Sequence, residues 1–173
     1  MSRSKIEKNQ NETSQKMLPQ SLQTTLCYIE KDNKYLMLHR IKKENDVNKD
    51  KWIGIGGKFE EGESPNECNC REVYEETGLK LNNPEYRGIV TFVNKQNGNL
   101  YCEYMHLFWC NDFSGIIKEC DEGFLEWIPK DKMNDLPHWE GDEIFLKLLD
   151  STKNFFSLKL IYSEGKLVES VLY

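Results

Sequence analysis

The sequence predicts an α+β domain in which a mixed β-sheet is packed by helices. Three observations carry that expectation. Runs rich in β-formers and bounded by turn residues outnumber helical segments. Only two stretches, 65–77 and 140–150, carry helical punctuation or periodicity. The length, 173 residues, suits one domain with a sizeable core and not two.

Taken in order, residues 1–20 are polar, rich in Lys, Asn, Gln and Ser, without periodicity. They are expected to form a flexible N-terminal arm, with the domain proper spanning 21–173. Leu22 to Glu30 and Lys34 to Arg40 read as strands joined by a tight turn at Asp32-Asn33. The charged stretch from Lys42 to Lys51 is expected to be a solvated loop. Trp52 to Gly57 is a short apolar piece dense in glycine. Tyr86 to Asn94 and Leu100 to Cys110 are longer strands linked through Asn97-Gly98, a strong hairpin signal. Gly123 to Ile128 reads as a further strand. From Glu140 to Asp150 the apolar Ile144, Phe145, Leu148 and Leu149 share one helical face. The tail reads as a hairpin about Ser163-Glu164-Gly165.

The remaining helix is delimited by its caps. Ser64 suits the N-cap, Pro65 the first helical position, Glu67 completes a capping box, and Gly78 suits a left-handed C-cap. At 100° per residue Glu72, Glu75 and Glu76 fall on one face, and Cys70, Val73 and Thr77 on another. One side can pack on a sheet while the other presents carboxylates. Three carboxylates at i, i+3 and i+4 repel one another. A divalent cation reverses the sign of that arrangement, and an all-oxygen donor set suits Mg²⁺ or Mn²⁺ rather than a softer metal. The alternative for such a run is a solvated acidic helix face.

Charge and composition exclude several function classes. The formal net charge of −6 disfavours non-specific binding to nucleic acid or anionic membranes, so no stable nucleic-acid partner is expected. No apolar run approaches a bilayer span and the first residues carry no hydrophobic stretch, so the expectation is a soluble cytoplasmic protein. The six cysteines match no zinc spacing and read as reduced thiols; Cys68 and Cys70, two apart on a helix, point in different directions.

From Gly57 to Leu79 the residues fall in a fixed order. Gly57 is followed after five residues by Glu63, then after seven by Arg71-Glu72, Val73, Glu75-Glu76, Gly78 and Leu79. This span resembles the Nudix box at every fixed position, a far more specific signal than a lone glycine motif. A weaker resemblance extends over Leu22 to Asp150. The resemblance implies a Nudix-type α/β/α sandwich and hydrolysis of a diphosphate linkage with Mg²⁺, or Mn²⁺. Carried over, it implies that Glu72, Glu75, Glu76 and the Gly57 carbonyl bind the metal. Glu72 or Glu76 would accept the proton of the attacking water, Arg71 and Glu63 would pair to hold the loop on the helix, and Lys58 would touch phosphate. A further acid from a later loop is implied. Glu122 matches by position, with Glu119 and Glu103 as alternatives.

Downstream, Trp127-Ile128-Pro129 and Leu136-Pro137-His138-Trp139-Glu140-Gly141-Asp142 resemble the matching region of MutT-like, oxidised-purine nucleoside triphosphatases, the 8-oxo-dGTP diphosphatase group. The resemblance implies that Trp139 stacks on a base and Asp142 bonds its edge. The other reading is Trp139 as a core anchor and Asp142 as a helix-start residue. Ile53 departs from the pattern, standing where the animal enzymes carry an asparagine that reads the base. The expected substrate is thus a purine nucleoside triphosphate such as 8-oxo-dGTP, converted to the monophosphate and pyrophosphate by a monomer or homodimer. The alternatives are a dinucleoside polyphosphate, an RNA 5′ end or a nucleotide sugar, or a catalytically silent nucleotide sensor.

Overall fold

The computed structural model describes residues 21–173 except 43 and 45. The expected N-terminal arm lies outside the described residues. Among the described residues ten strands and two α-helices follow in chain order: β1 Leu22–Lys31, β2 Lys34–Arg40, β3 Trp52–Ile53, α1 Pro65–Thr77, β4 Lys80–Leu81, β5 Glu85–Gln96, β6 Asn99–Cys110, β7 Phe113–Ser114, β8 Gly123–Pro129, α2 Asp142–Ser151, β9 Phe156–Ser163 and β10 Lys166–Leu172. The main sheet runs β10-β9-β5-β6-β1-β2-β3, with β8 also paired to β2. It is mixed: β1 with β6 and β5 with β9 are parallel, the other pairs antiparallel.

Period-two alternation sends the strands' side chains to two faces. On one face Cys27, Ile29, Leu36, Leu38 and Phe108 pack with Val73 of α1. On the other Tyr28, Tyr35, Met37 and Val90 pack with Phe145, Leu146 and Leu149 of α2. The expected sandwich is therefore realised, with one helix on each face of the sheet.

The local signals predict their elements well. Asp32 and Asn33 both adopt positive φ in the first turn, and Asn97 and Gly98 do so in the long hairpin. Both capping-box bonds of Ser64 and Glu67 are present, and Gly78 takes the left-handed conformation at φ 77°. The structure also departs from expectation. Helix α2 starts at Asp142 rather than Glu140, because Trp139 O already accepts from Asp142 N in a turn. At its other end the buried Arg87 guanidinium donates to the Leu149 and Thr152 carbonyls. Short strands β4 and β7 and the 3₁₀ turn Lys130–Asp135 carry no periodicity that two to six residues could display.

The segment after β2 is not simply solvated. Asp46 reaches back to Arg40 Nε at 2.6 Å, and Asn48 Oδ1 accepts from the Trp139 indole at 2.7 Å. This charged loop is docked by specific partners, Arg40 at the end of β2 and Trp139 far along the chain.

Candidate active site

The site is built where the glycine-rich segment after β3 crosses the N-terminal half of β1. Ile55 exchanges backbone hydrogen bonds with Cys27, and Thr25 N donates to Gly57 O at 2.8 Å. This close approach depends on absent side chains. A Cβ on Gly56 would collide with the Thr25 carbonyl, and one on Gly57 with the Glu72 carboxyl group. The Gly57 carbonyl, expected as a ligand, already accepts from Thr25 N and more weakly from the Cys68 thiol at 3.9 Å.

Arg71 ties this loop to α1. Its Nε and NH2 contact the two Glu63 oxygens at 2.6 and 2.8 Å, a bidentate pair. NH2 also donates to Lys58 O at 2.9 Å. NH1 donates to Glu72 at 2.8 Å and to Glu75 at 3.1 Å. The guanidinium holds the Glu63 carboxyl far below the usual range, at about 2, helped by the Glu60 backbone N–H. Lys58 itself is exposed at the surface of the loop.

The three box carboxylates are not equivalent. Glu75 is exposed, its side chain retaining 57% of its accessible surface, whereas the Glu72 side chain retains 15%. Glu76 is buried at 8% exposure, alongside Cys68, Asn69, Val73 and Thr77. The sheet-facing side of α1 therefore includes Glu76 and Asn69, and Cys70 is only half-buried. Burial raises the Glu76 pKa to about 8, and the neighbouring Glu122 and Glu72 carboxylates push it the same way. Glu72 shifts upward too, chiefly through burial, although Arg71 opposes this.

Glu122 comes from the loop before β8 and pairs with Arg40 NH1. The structure thus brings Glu122, and not its alternatives, beside Glu76. Glu119 is exposed in its loop. Glu103 accepts from Thr24, whose neighbour Thr25 contacts Cys68 of α1, so strand alternation puts Glu103 on the opposite face.

Among the described residues no three acidic, histidine or cysteine side chains already converge as a ready cation cage. Three of the four carboxylates face arginines instead, Glu72 and Glu75 towards Arg71 and Glu122 towards Arg40. The donor set nevertheless fits a hard divalent cation. It is all oxygen, and Glu76 Oε2 is buried without a hydrogen-bond partner. A buried carboxylate with two like neighbours lacks compensation that a cation would supply. All six cysteines are free; Cys120, buried in the loop before β8, lies beside the cluster, and burial, with the nearby Glu76 and Glu122 carboxylates adding to it, pushes its thiol pKa up.

Trp139 and Asp142 lie on the other face of the sheet, at the start of α2. The indole packs edge-on against Phe92 and Tyr162, with centroids 5.8 and 5.5 Å apart, and Lys51 Nζ sits 4.4 Å from its ring centre. Asp142 is buried and accepts from the Trp139 N–H at 3.3 Å; burial lifts its pKa to about 7. Ile53 is partly buried against the cluster on the α1 side. Sequence reasoning missed Arg40, Asn48, Lys51 and Phe92. Each acts through a partner remote in the chain, and no local pattern marks it.

Comparison with known proteins follows the same lines. A family model for the NUDIX domain matches residues 21–149. The chain is 32% identical over 120 residues to the Nudix hydrolase YvcI of Bacillus subtilis, covering 68% of this chain and 72% of that protein. It is 28% identical over 122 residues to an oxidized purine nucleoside triphosphate hydrolase of Danio rerio, covering 70% and 77%. Among solved structures, a MutT protein from Bacillus halodurans superposes with a TM-score of 0.77 at 29% identity, covering 87% of this chain and 97% of that one. A MutT NUDIX hydrolase from Burkholderia pseudomallei gives 0.62 at 25% identity, covering 74% and 97%.

Proposed function

The chain belongs to the Nudix family and is a hydrolase of pyrophosphate bonds; from that premise we propose that it converts a purine nucleoside triphosphate, such as 8-oxo-dGTP, to the monophosphate and pyrophosphate. The observation that carries this reading is the buried Glu76 carboxylate, crowded by Glu72 and Glu122 and unpartnered at Oε2. The nucleoside part is supported by the partly buried Trp139 on its aromatic support, and by relatives named as oxidized purine nucleoside triphosphate hydrolases.

Nudix hydrolases generally use divalent metals such as Mg²⁺. Glu72, Glu75, Glu76, Glu122 and the Gly57 carbonyl would hold the ion, which supplies neutralisation of phosphate oxygens and acidification of a bound water. This answers how an acidic protein takes a polyanionic substrate.

The chain's own residues then divide the remaining work. Of Glu72 and Glu76, Glu76 is the better acceptor for the proton of the attacking water, because Glu72 Oε1 is committed to Arg71. Arg71 and Glu63 keep the Gly57–Lys58 loop on α1, fixing the distance between glycine carbonyl and carboxylates. Lys58, exposed at the rim, meets phosphate oxygens. Arg40 orients Glu122 towards Glu76. Trp139 stacks on the base, for which the flexible Lys51 side chain gives way. Asp142 supports that platform through the Trp139 N–H; contacting a base edge directly would require its buried carboxylate to turn outward.

The test is product analysis in ¹⁸O-labelled water with Mg²⁺ and a panel holding 8-oxo-dGTP, dGTP, dATP, a dinucleoside polyphosphate, a 5′-triphosphorylated RNA and a nucleotide sugar. Release of pyrophosphate, with 8-oxo-dGTP the preferred substrate, supports the reading. Preference for any of the last three substrates replaces it with that class.

A further inference from the structure

Glu103 sits where a different kind of chemistry is available. In the hairpin of β5 and β6 it is the direct partner of Phe92, and directly opposed residues project side chains to the same face. Phe92 packs on Trp139 and Tyr162, with centroids 5.8 and 4.8 Å away. Glu103 therefore borders the aromatic group that carries the base platform.

Its carboxylate is oriented at both oxygens. Oε1 accepts from Thr24 Oγ1 at 2.6 Å and Oε2 from the Tyr101 hydroxyl at 2.7 Å. Both donors are neutral, and among the described residues no lysine or arginine pairs with Glu103. Each oxygen keeps a further acceptor position. A half-buried carboxylate fixed in orientation, beside aromatic rings and without a counter-charge, is arranged to receive donors from a ligand.

Two neighbours strengthen the case. Asn94, two residues beyond Phe92 on the same strand face, is 8% exposed and its Oδ1 has no partner, so the aromatic wall holds a second polar group. Thr24, which orients Glu103, is also the bridge partner of Lys58 in the glycine loop. One short length of β1 thus joins this wall to the loop assigned to the phosphates.

We propose, on the reading that the substrate is a purine nucleotide, that Glu103 is a specificity-determining residue which reads the donor edge of a guanine-type base. The N1–H and 2-amino groups of guanine are adjacent parallel donors that match the two carboxylate oxygens. Adenine offers an acceptor at N1 and is repelled. Oxidation at C8 leaves this edge intact, so the same residue serves the oxidised base.

Calorimetric binding of dGMP, dIMP and dAMP to the wild-type chain and to Glu103→Gln tests this, alongside kcat/KM for the three triphosphates. The wild type is expected to rank guanine over hypoxanthine over adenine. Glu103→Gln should weaken dGMP roughly tenfold to a hundredfold and leave dAMP unchanged or tighter, since a glutamine amide pairs with adenine. Tyr101→Phe, at an exposed position, removes one tether and should move the same ratio in the same direction by a smaller factor, whether or not Glu103→Gln folds. An unchanged dGMP-to-dAMP ratio in the variants overturns the role of Glu103. Failure of the triphosphatase reading looks different: base-selective binding that responds to Glu103 in a protein that leaves all three triphosphates intact. A wild type that binds none of the three overturns both.

Discussion

At the scale of single residues, Glu76 behaves unlike the two glutamates beside it. Without a cation its pKa of about 8 keeps the carboxyl largely protonated near neutrality and makes its ionisation a burden on the metal-free fold. The folded value lies above the unfolded one, near 4.5. Its contribution to stability is therefore full below about 4.5 and is lost as pH rises through about 8. Thermal denaturation in chelator should show the metal-free protein losing stability across that window. Glu76→Gln should flatten the loss, raise the melting temperature at pH 8 by about 2–4 °C per kcal/mol regained, and lower kcat by about 10²–10⁴-fold. A variant that keeps full activity would falsify the proton-acceptor role. Arg71 poses a separate test, because its planar fork meets three carboxylates and a carbonyl at once. Lysine has no such fork. Arg71→Lys should lower kcat by up to about a hundredfold through misplacement of the loop, with circular dichroism unchanged.

At the scale of elements, α1 is fixed by its own ends. Ser64→Ala removes the acceptor of the Glu67 N–H and should cost about 1 kcal/mol in urea denaturation. Gly78→Ala should cost more than the cap, because φ is 77° and the new Cβ would stand 2.8 Å from the Ile116 carbonyl. Equal effects from the two changes would mean the loop at Ile116 yields freely. Both caps were legible because each is written within four residues of the helix end. The carboxylate stripe was legible in spacing but not in depth: the helical wheel groups Glu72, Glu75 and Glu76, while packing on β1 buries one, half-shelters another and leaves the third in water. The segment after β2 was misread as solvated because its charges looked unpartnered locally. Asp46 closes on Arg40 six residues back, which carries no recognised local pattern, and Asn48 meets Trp139 only once the sheet and α2 are assembled.

At the scale of the whole molecule, the two helices cover opposite faces of one sheet, and the chemistry divides between the faces. Glu72, Glu76 and Glu122 gather on the α1 side, while Trp139, Phe92 and Glu103 gather on the α2 side. The crossing of β1 by the glycine loop links them. Ligation of the carboxylate cluster should stabilise the entire fold. Mg²⁺ at about a hundred times its dissociation constant should add about 2.7 kcal/mol, a rise of roughly 5–10 °C in melting temperature. Glu76→Gln should abolish most of that rise, and an equal response in the variant argues against ligation there. By itself the sequence determined the α+β class with its mixed sheet, the capped helix and the order of its carboxylates, since caps, turns and side-chain periodicity are properties of short contiguous segments. Only the tertiary structure decided which glutamate is buried and proton-hungry, that Arg40 meets Glu122 across 82 residues of chain, and that Glu103 faces the aromatic wall. Those facts depend on desolvation and on contacts between distant segments, which exist only after the sheet has closed between its helices.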